Sequence, residues 1–281
     1  MFIIKCKNVF SLINQRLGIE MSRIYIWAHR GASGYVFENT EEAFELAIEQ
    51  GANGLESDVR MSADGVLVLF HDSKVMYKNK LKRISKLKIS EIDSIELGAQ
   101  KLKVPHVEDI FRKYKNRKNK YGELIKFSLD MANPGVGLKV IDLIKDLKFE
   151  DQVELTPSSN WPFLIRILRK FREKSESIEI VDSAKPSKWK SILKWNYYQM
   201  FDKLKALNIK GINLKEDKVN PDVIRMIKER GFKLYVWDCH REEQIRKILN
   251  YIKENNEDDK IQIDAIYTNY PDLAVKMLSQ K

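Results

Sequence analysis

Cysteine is nearly absent from the 281 residues: only Cys6 and Cys239 occur. Two cysteines supply neither a disulfide framework nor a zinc-ligand spacing. That agrees with a reducing compartment, and a cytoplasmic location is expected. Long apolar runs are also missing, and none approaches the roughly 20 residues that a membrane span needs. No stretch rich in Pro, Gly or Ser marks a linker, and no repeat is visible. Residues 1–20 lack a continuous apolar region and a small-residue cleavage site, so they do not read as a signal peptide. They are expected to be an N-terminal extension, followed by a single domain over 21–281.

What remains is enough for a soluble core, with hydrophobic content of 43%, charged content of 32% and mean hydropathy −0.42. The net charge of +10 is compatible with anionic partners. Most lysines are interleaved with acids, as on solvated helix faces. The basic run at 113–122 reads as a helix end and an exposed loop. No nucleic-acid module accompanies the charge, so no nucleic-acid partner is expected. Peripheral contact with a membrane surface stays open, and no oligomeric state is read.

Eight short β-rich runs recur along the chain: Ile24–Trp27, Leu55–Arg60, Ile125–Leu129, Gln152–Leu155, Ile178–Val181, Ile209–Leu214, Leu234–Trp237 and Ala265–Tyr267. Helical patterns separate most of them. Asn39-x-x-Glu42 resembles a capping box, with Gly51 as its stop. Asn220-Pro221 opens another helix, with Gly231 at its end. The alternation predicts a (β/α)8 TIM barrel. Val66–Phe70 follows its predecessor too closely for a parallel crossover, so it is expected to be an extra antiparallel hairpin strand. A short insertion over about 73–105 comes next. With Ala63 and Asp64 as turn centres, Glu56 would lie opposite His71, and Glu56, Asp58 and His71 would share a face.

The candidate chemistry lies mainly at predicted strand ends, where a TIM barrel has its catalytic mouth. His29 and Arg30 end the first strand: a base or acid beside a guanidinium suited to bidentate anion binding. Alone, His29 would read as a buried strand-terminal histidine. Glu56 and Asp58 place two acids on one strand face, which calls for a cation, and oxygen ligands favour Mg²⁺ or Ca²⁺. His71 is a candidate general acid, Asp130 a third carboxylate ligand, and Trp237 an apolar wall. His106 reads as structural. His240 is a minor candidate at the mouth end. Cys239 is not expected to be a nucleophile.

At these residues the chain resembles the glycerophosphodiester phosphodiesterase family. The likeness rests on HRGASGYVFENT at 29–40, ESDV at 56–59, DG at 64–65, HD at 71–72, VPHVEDI at 104–110, VW at 236–237 and YTNYPD at 267–272. It implies a TIM barrel that hydrolyses glycerophosphodiesters to glycerol 3-phosphate and an alcohol with one divalent cation. It also implies His29 and His71 as the acid/base pair, Glu56 and Asp58 as metal ligands, Arg30 on the phosphate, and Glu38 and Asn39 near the site. Three departures stand out. Phe37 replaces the family proline, Asp130 and Ala132 replace the Glu and Lys of Glu-x-Lys, and Trp237-Asp238-Cys239-His240 replaces Trp-Thr-Val-Asn. Lys185 and Lys215 are candidates to stand in for the lost lysine. The expected activity is therefore a metal-dependent phosphodiesterase, with His29 as base and His71 as acid. The alternatives are a lysophospholipase D or sphingomyelinase D-like enzyme acting on lysolipids, and a binding protein without turnover.

Overall fold

A computed structural model of the chain describes residues 24–157, 163–183, 194–254 and 262–279. The N-terminal extension, Cys6 and Lys185 lie outside the described residues. Eight parallel strands close into a barrel: β1 (Tyr25–Ala28), β2 (Gly54–Met61), β6 (Lys126–Met131), β7 (Val153–Leu155), β8 (Glu179–Ser183), β9 (Gly211–Lys215), β10 (Lys233–Trp237) and β11 (Ala265–Thr268). β1 pairs with both β2 and β11, which closes the ring. Helices follow between the strands, so the architecture is the expected (β/α)8 barrel.

Local chemistry explains the helix starts. In α1 (Glu41–Gln50) the Thr40 hydroxyl accepts from the Ala43 amide, and Gly51 closes the helix at φ 94°. Thr40, rather than Asn39, is thus the cap, and the Asn39 side chain is free for other work. Asn133 and Asn220 cap two later helices in the same way, each ahead of a proline. Alternate strand residues face outward, where Leu55, Val59, Phe127, Leu129, Ile212, Leu214 and Val236 pack in one large core with the helices. The opposite residues Trp27, Val181, Tyr235, Ala265 and Tyr267 form a separate inner cluster.

β3 (Leu67–Leu69) is the extra antiparallel strand, as expected, but its register differs by one residue. Val59 pairs with Leu69, and the Phe70 amide donates to the Asp58 carbonyl at 2.9 Å. The cause is the turn. Ser62 N–H donates to Val66 O at 2.9 Å across a three-residue loop, with Gly65 at φ 87°. Ser62 Oγ bonds Asp64 Oδ1 at 2.7 Å and accepts from the Val66 amide at 2.9 Å, which pins this loop in place of a two-residue turn. Continuing that register sets His71 against Ser57, not Glu56, and a one-residue slip exchanges faces.

After β3 the insertion forms β4 (Lys74–Tyr77), β5 (Lys80–Arg83) and a one-turn helix, α2 (Ile89–Ile92). It has its own small core of Val68, Phe70, Val75, Ile84, Leu87, Ile92, Ile95, Leu97 and Val104. α3 (Val107–Tyr114) then leads back to β6. His106 precedes α3 and its Nε2 lies 2.8 Å from Asp93, in keeping with a structural role.

One backbone position holds the mouth to the helix layer. Gly31 sits at φ 80°, and a Cβ there would lie 2.6 Å from the Ala43 carbonyl carbon in α1. Gly31→Ala is expected to cost about 2–4 kcal/mol, from the left-handed backbone and the overpacking together. Urea unfolding at matched m-values checks this, and a loss below about 0.5 kcal/mol would show that the loop relaxes freely.

Candidate active site

β1 runs out at Ala28, and the His29 amide extends the ladder by donating to Thr268 O at 2.8 Å. The chain then reverses through two left-handed residues, Arg30 at φ 56° and Gly31 at φ 80°. This turn leaves the His29 ring beside the end of β11. His29 Nδ1 lies 2.7 Å from Asn269 Oδ1. A carbonyl oxygen only accepts, so Nδ1 carries the proton and Nε2 the lone pair. Nε2 stands 3.9 Å from Glu56 Oε2. Burial, then the Arg30 charge, pushes the His29 pKa down to about 4, so the ring is neutral at physiological pH.

Arg30 is held by three acids. Its backbone N–H donates to Glu56 Oε2 at 2.9 Å and its Nη1 to Glu38 Oε2 at 2.8 Å, while Nε lies 3.1 Å from Asp58 Oδ2. Burial works against the guanidinium charge, but Asp58, Glu38 and Glu56 outweigh it and raise the pKa. Asn39 ties the same strand down. Its Oδ1 accepts from Ser57 Oγ at 2.6 Å and from the Asp58 amide at 3.3 Å, and its Nδ2 donates to Asp58 Oδ2 at 3.1 Å.

Asp58 and Asp130 are direct partners in the β2–β6 register. Glu56 is buried, and desolvation followed by repulsion from Asp58 holds its carboxyl well above the ordinary range. The same two causes push Asp130 up to about 7. Buried acids that repel one another are what a divalent cation would relieve, and an all-oxygen donor set suits Mg²⁺ or Ca²⁺. Among the described residues, however, no three His, Cys, Asp or Glu side chains converge tightly enough to hold an ion as they stand. Arg30 lies against Asp58 instead. The fit is one of donor type, burial and charge.

His71 leaves β3 at this end of the barrel but does not meet Glu56, for the register reason given above. Its Nδ1 lies 2.9 Å from Asp72 Oδ1, and its side chain is 42% exposed. Its carbonyl accepts from Arg60 Nε at 2.8 Å and also from Arg60 Nη2. Arg60 feels Asp58, Asp72 and Asp130, although burial lowers its pKa overall. Sequence reading passed over Arg60, yet it continues the alternation of Glu56 and Asp58 on β2. It brings positive charge towards Asp130.

The opposite wall comes from β9, β10 and β11. Lys215 Nζ lies 5.6 Å from the Trp237 ring centre and 3.1 Å from Asp238 Oδ2. His240 stacks on His29 with ring centres 5.4 Å apart, and its Nδ1 accepts from the Asn269 amide at 3.1 Å. Asn269 thus touches both imidazoles. It was missed in the sequence although it lies within YTNYPD. Cys239 is buried with its thiol pKa well above normal, the state of an inert thiol. Beneath the mouth, Tyr235 and Tyr267 both donate to buried Glu154, and Tyr267 also bonds Ser128 at 2.9 Å.

Comparison with known proteins bears on this arrangement. Residues 29–273 match the model of the glycerophosphoryl diester phosphodiesterase family. A glycerophosphodiester phosphodiesterase of Bacillus altitudinis is 26% identical over 269 residues, covering 90% of this chain and 97% of its own. One from Caldanaerobacter subterraneus is 25% identical, covering 89% and 96%. Among solved structures, an Oleispira antarctica phosphodiesterase in complex with sn-glycerol-3-phosphate superposes with a TM-score of 0.71 at 21% identity, covering 91% of this chain and 97% of its own. That last likeness establishes the fold. The family match covers most of the chain, so the protein belongs to the glycerophosphoryl diester phosphodiesterase family, whose members are phosphoric diester hydrolases.

Proposed function

We propose that the protein hydrolyses glycerophosphodiesters to glycerol 3-phosphate and an alcohol, with His29 and His71 as its acid/base pair. The observation that carries this reading is the 2.7 Å contact between His29 and Asn269, which leaves Nε2 unprotonated on the side of the buried acids. The Oleispira relative, crystallised with sn-glycerol-3-phosphate, supports the product assignment.

In this reading Arg30 binds the non-bridging phosphate oxygens, releasing part of its hold on Asp58 as it does so. Glu38 and Asn39 keep the Arg30 loop and the β2 end in place. Trp237 supplies an apolar wall. His29 Nε2 takes the proton of the attacking hydroxyl, either water or a neighbouring group of the substrate. His71, whose Nδ1 lies 2.9 Å from Asp72 Oδ1, gives a proton to the leaving alcohol. Glu56, Asp58 and Asp130 would hold one divalent cation, Mg²⁺ or Ca²⁺, which when bound draws charge from the phosphate oxygens.

Release of glycerol 3-phosphate from glycerophosphocholine, compared in EDTA, Mg²⁺ and Ca²⁺, tests the reading. His29→Ala and His71→Ala are each expected to lower kcat by about 10²–10⁴. Retention of most of the rate in either variant would remove that residue from the mechanism. Turnover of lysophosphatidylcholine in place of the soluble diester would move the substrate to lysolipids.

The raised acids set a pH dependence. A carboxyl with pKa near 7 keeps its proton as pH falls below that value, so a cation must displace it. Apparent cation affinity is expected to fall as pH drops from about 7 towards 5. Without cation, the raised pKa means that folding stability declines as pH rises from about 4 to 7. Asp130→Asn should lessen both trends, with Glu154 and Asp182 keeping part of the stability slope, and abolish the cation-induced rise in Tm. A full thermal shift in that variant would place the ion elsewhere.

A further inference from the structure

β4 and β5 form a two-stranded hairpin outside the barrel sheet. Directly paired residues share a face. Val75 pairs with Lys82 and Tyr77 with Lys80; on this face Val75 is buried in a core with Phe70, Ile84 and Leu87, while the long Lys80 and Lys82 side chains reach solvent, Lys82 Nζ lying 5.3 Å from the Tyr77 ring centre. Lys74 pairs with Arg83 and Met76 with Leu81 on the other face, which turns outward. There Met76 is 59% exposed and Leu81 60% exposed, side by side. The turn residues Lys78 and Asn79 both have positive φ, 47° and 60°, the geometry of a tight hairpin turn.

The charge of this segment is one-sided. Ser73 to Lys88 holds seven Lys or Arg residues and no Asp or Glu. All seven cations are exposed. Among the described residues none of them is ion-paired with a carboxylate. In the other basic run, at 113–122, Lys113 and Arg117 are paired with Glu41 and Glu45, while Lys115, Lys118 and Lys120 have no carboxylate partner among the described residues. Lys74 opposite Arg83 sets like charges on directly paired positions, which weakens a hairpin. A local conflict of this kind points to a use outside the fold. Cations ringing an exposed aliphatic pair suit an anionic lipid surface, where the chains enter the headgroup layer. A single-stranded nucleic acid would instead call for exposed aromatic rings, and Met76 and Leu81 offer none.

We propose that the Lys74–Arg83 hairpin docks the protein on an anionic membrane surface, with Met76 and Leu81 entering the headgroup layer and the surrounding cations meeting lipid phosphates. Lys74 lies three residues beyond His71, so docking brings the bilayer beside the barrel mouth.

The test is sedimentation of the full chain with vesicles of phosphatidylcholine alone or mixed with phosphatidylglycerol. Binding is expected only to the mixed vesicles and is expected to weaken with salt. The combined change Lys78→Gln, Lys80→Gln, Lys82→Gln and Arg83→Gln should weaken it at least about hundredfold, since each cation near such a surface contributes about fivefold. Met76→Ser with Leu81→Ser should weaken it several-fold. All these side chains are exposed and lie outside the proposed catalytic set, so Tm and hydrolysis of soluble diesters should hold, which separates a docking defect from misfolding. Met76→Trp should show a blue-shifted emission on mixed vesicles. No binding by the unchanged chain, equal binding by the four-cation variant, an unshifted Trp signal, or displacement from vesicles by an oligonucleotide that binds more tightly would each overturn the proposal.

Discussion

Acidic side chains gathered at one end of a closed barrel set the terms for everything around them. Glu56 and Asp58 share a strand face because strand side chains alternate, and Asp130 arrives beside Asp58 because β6 pairs with β2 in that register. Burial removes the water that would screen them. The protein answers with positive charge and hydrogen-bond donors: Arg30 from one side, Arg60 from another, Asn39 on Asp58, and the Arg30 backbone amide on Glu56. Glu56 and Asp130 still resist ionisation. In the proposed function, that unmet demand is what a divalent cation and a substrate phosphate would answer.

The same arrangement accounts for the backbone strain nearby. Arg30, Asn39 and Asp238 all adopt positive φ without being glycine. Each lies on a loop at the mouth, and each aims a polar group at the site or its wall. Such conformations cost about 1–3 kcal/mol each and persist where surrounding bonds over-determine them. Here the bonds are visible: Arg30 O accepts from Asn39 N, Asn39 Oδ1 accepts from Ser57 and Asp58, and Asp238 is bound to Lys215.

Much of this was legible in the chain. The recurrence of short β-rich runs announced eight strands because buried parallel strands read as apolar blocks. The five-residue gap between Met61 and Leu67 ruled out a crossover. His29, Arg30, Glu56, Asp58 and Asp130 could be placed at one end because strand ends in a barrel share a rim. The errors had local causes. Ser62 stabilised a three-residue loop that the Asp64-Gly65 signal did not distinguish from a two-residue turn. Thr40 took the cap that Asn39 was expected to fill, since the Asn39 amide was engaged by β2.

The sequence by itself determined the barrel, the hairpin and the donor types at the mouth, because strand periodicity and crossover length are properties of neighbouring residues. Only the tertiary structure decided that Asn269 sets the tautomer of His29, that His240 stacks upon it, and that Arg60 grips the carbonyl of His71. Asn269 lies 240 positions from His29, and no local pattern encodes a contact made only when the last strand closes on the first. It also decided that the cations near Met76 and Leu81 have no carboxylate partner among the described residues, while Lys113 and Arg117 beside Tyr114 do. Charge can be counted along a chain, but neutralisation depends on which helix comes to lie alongside.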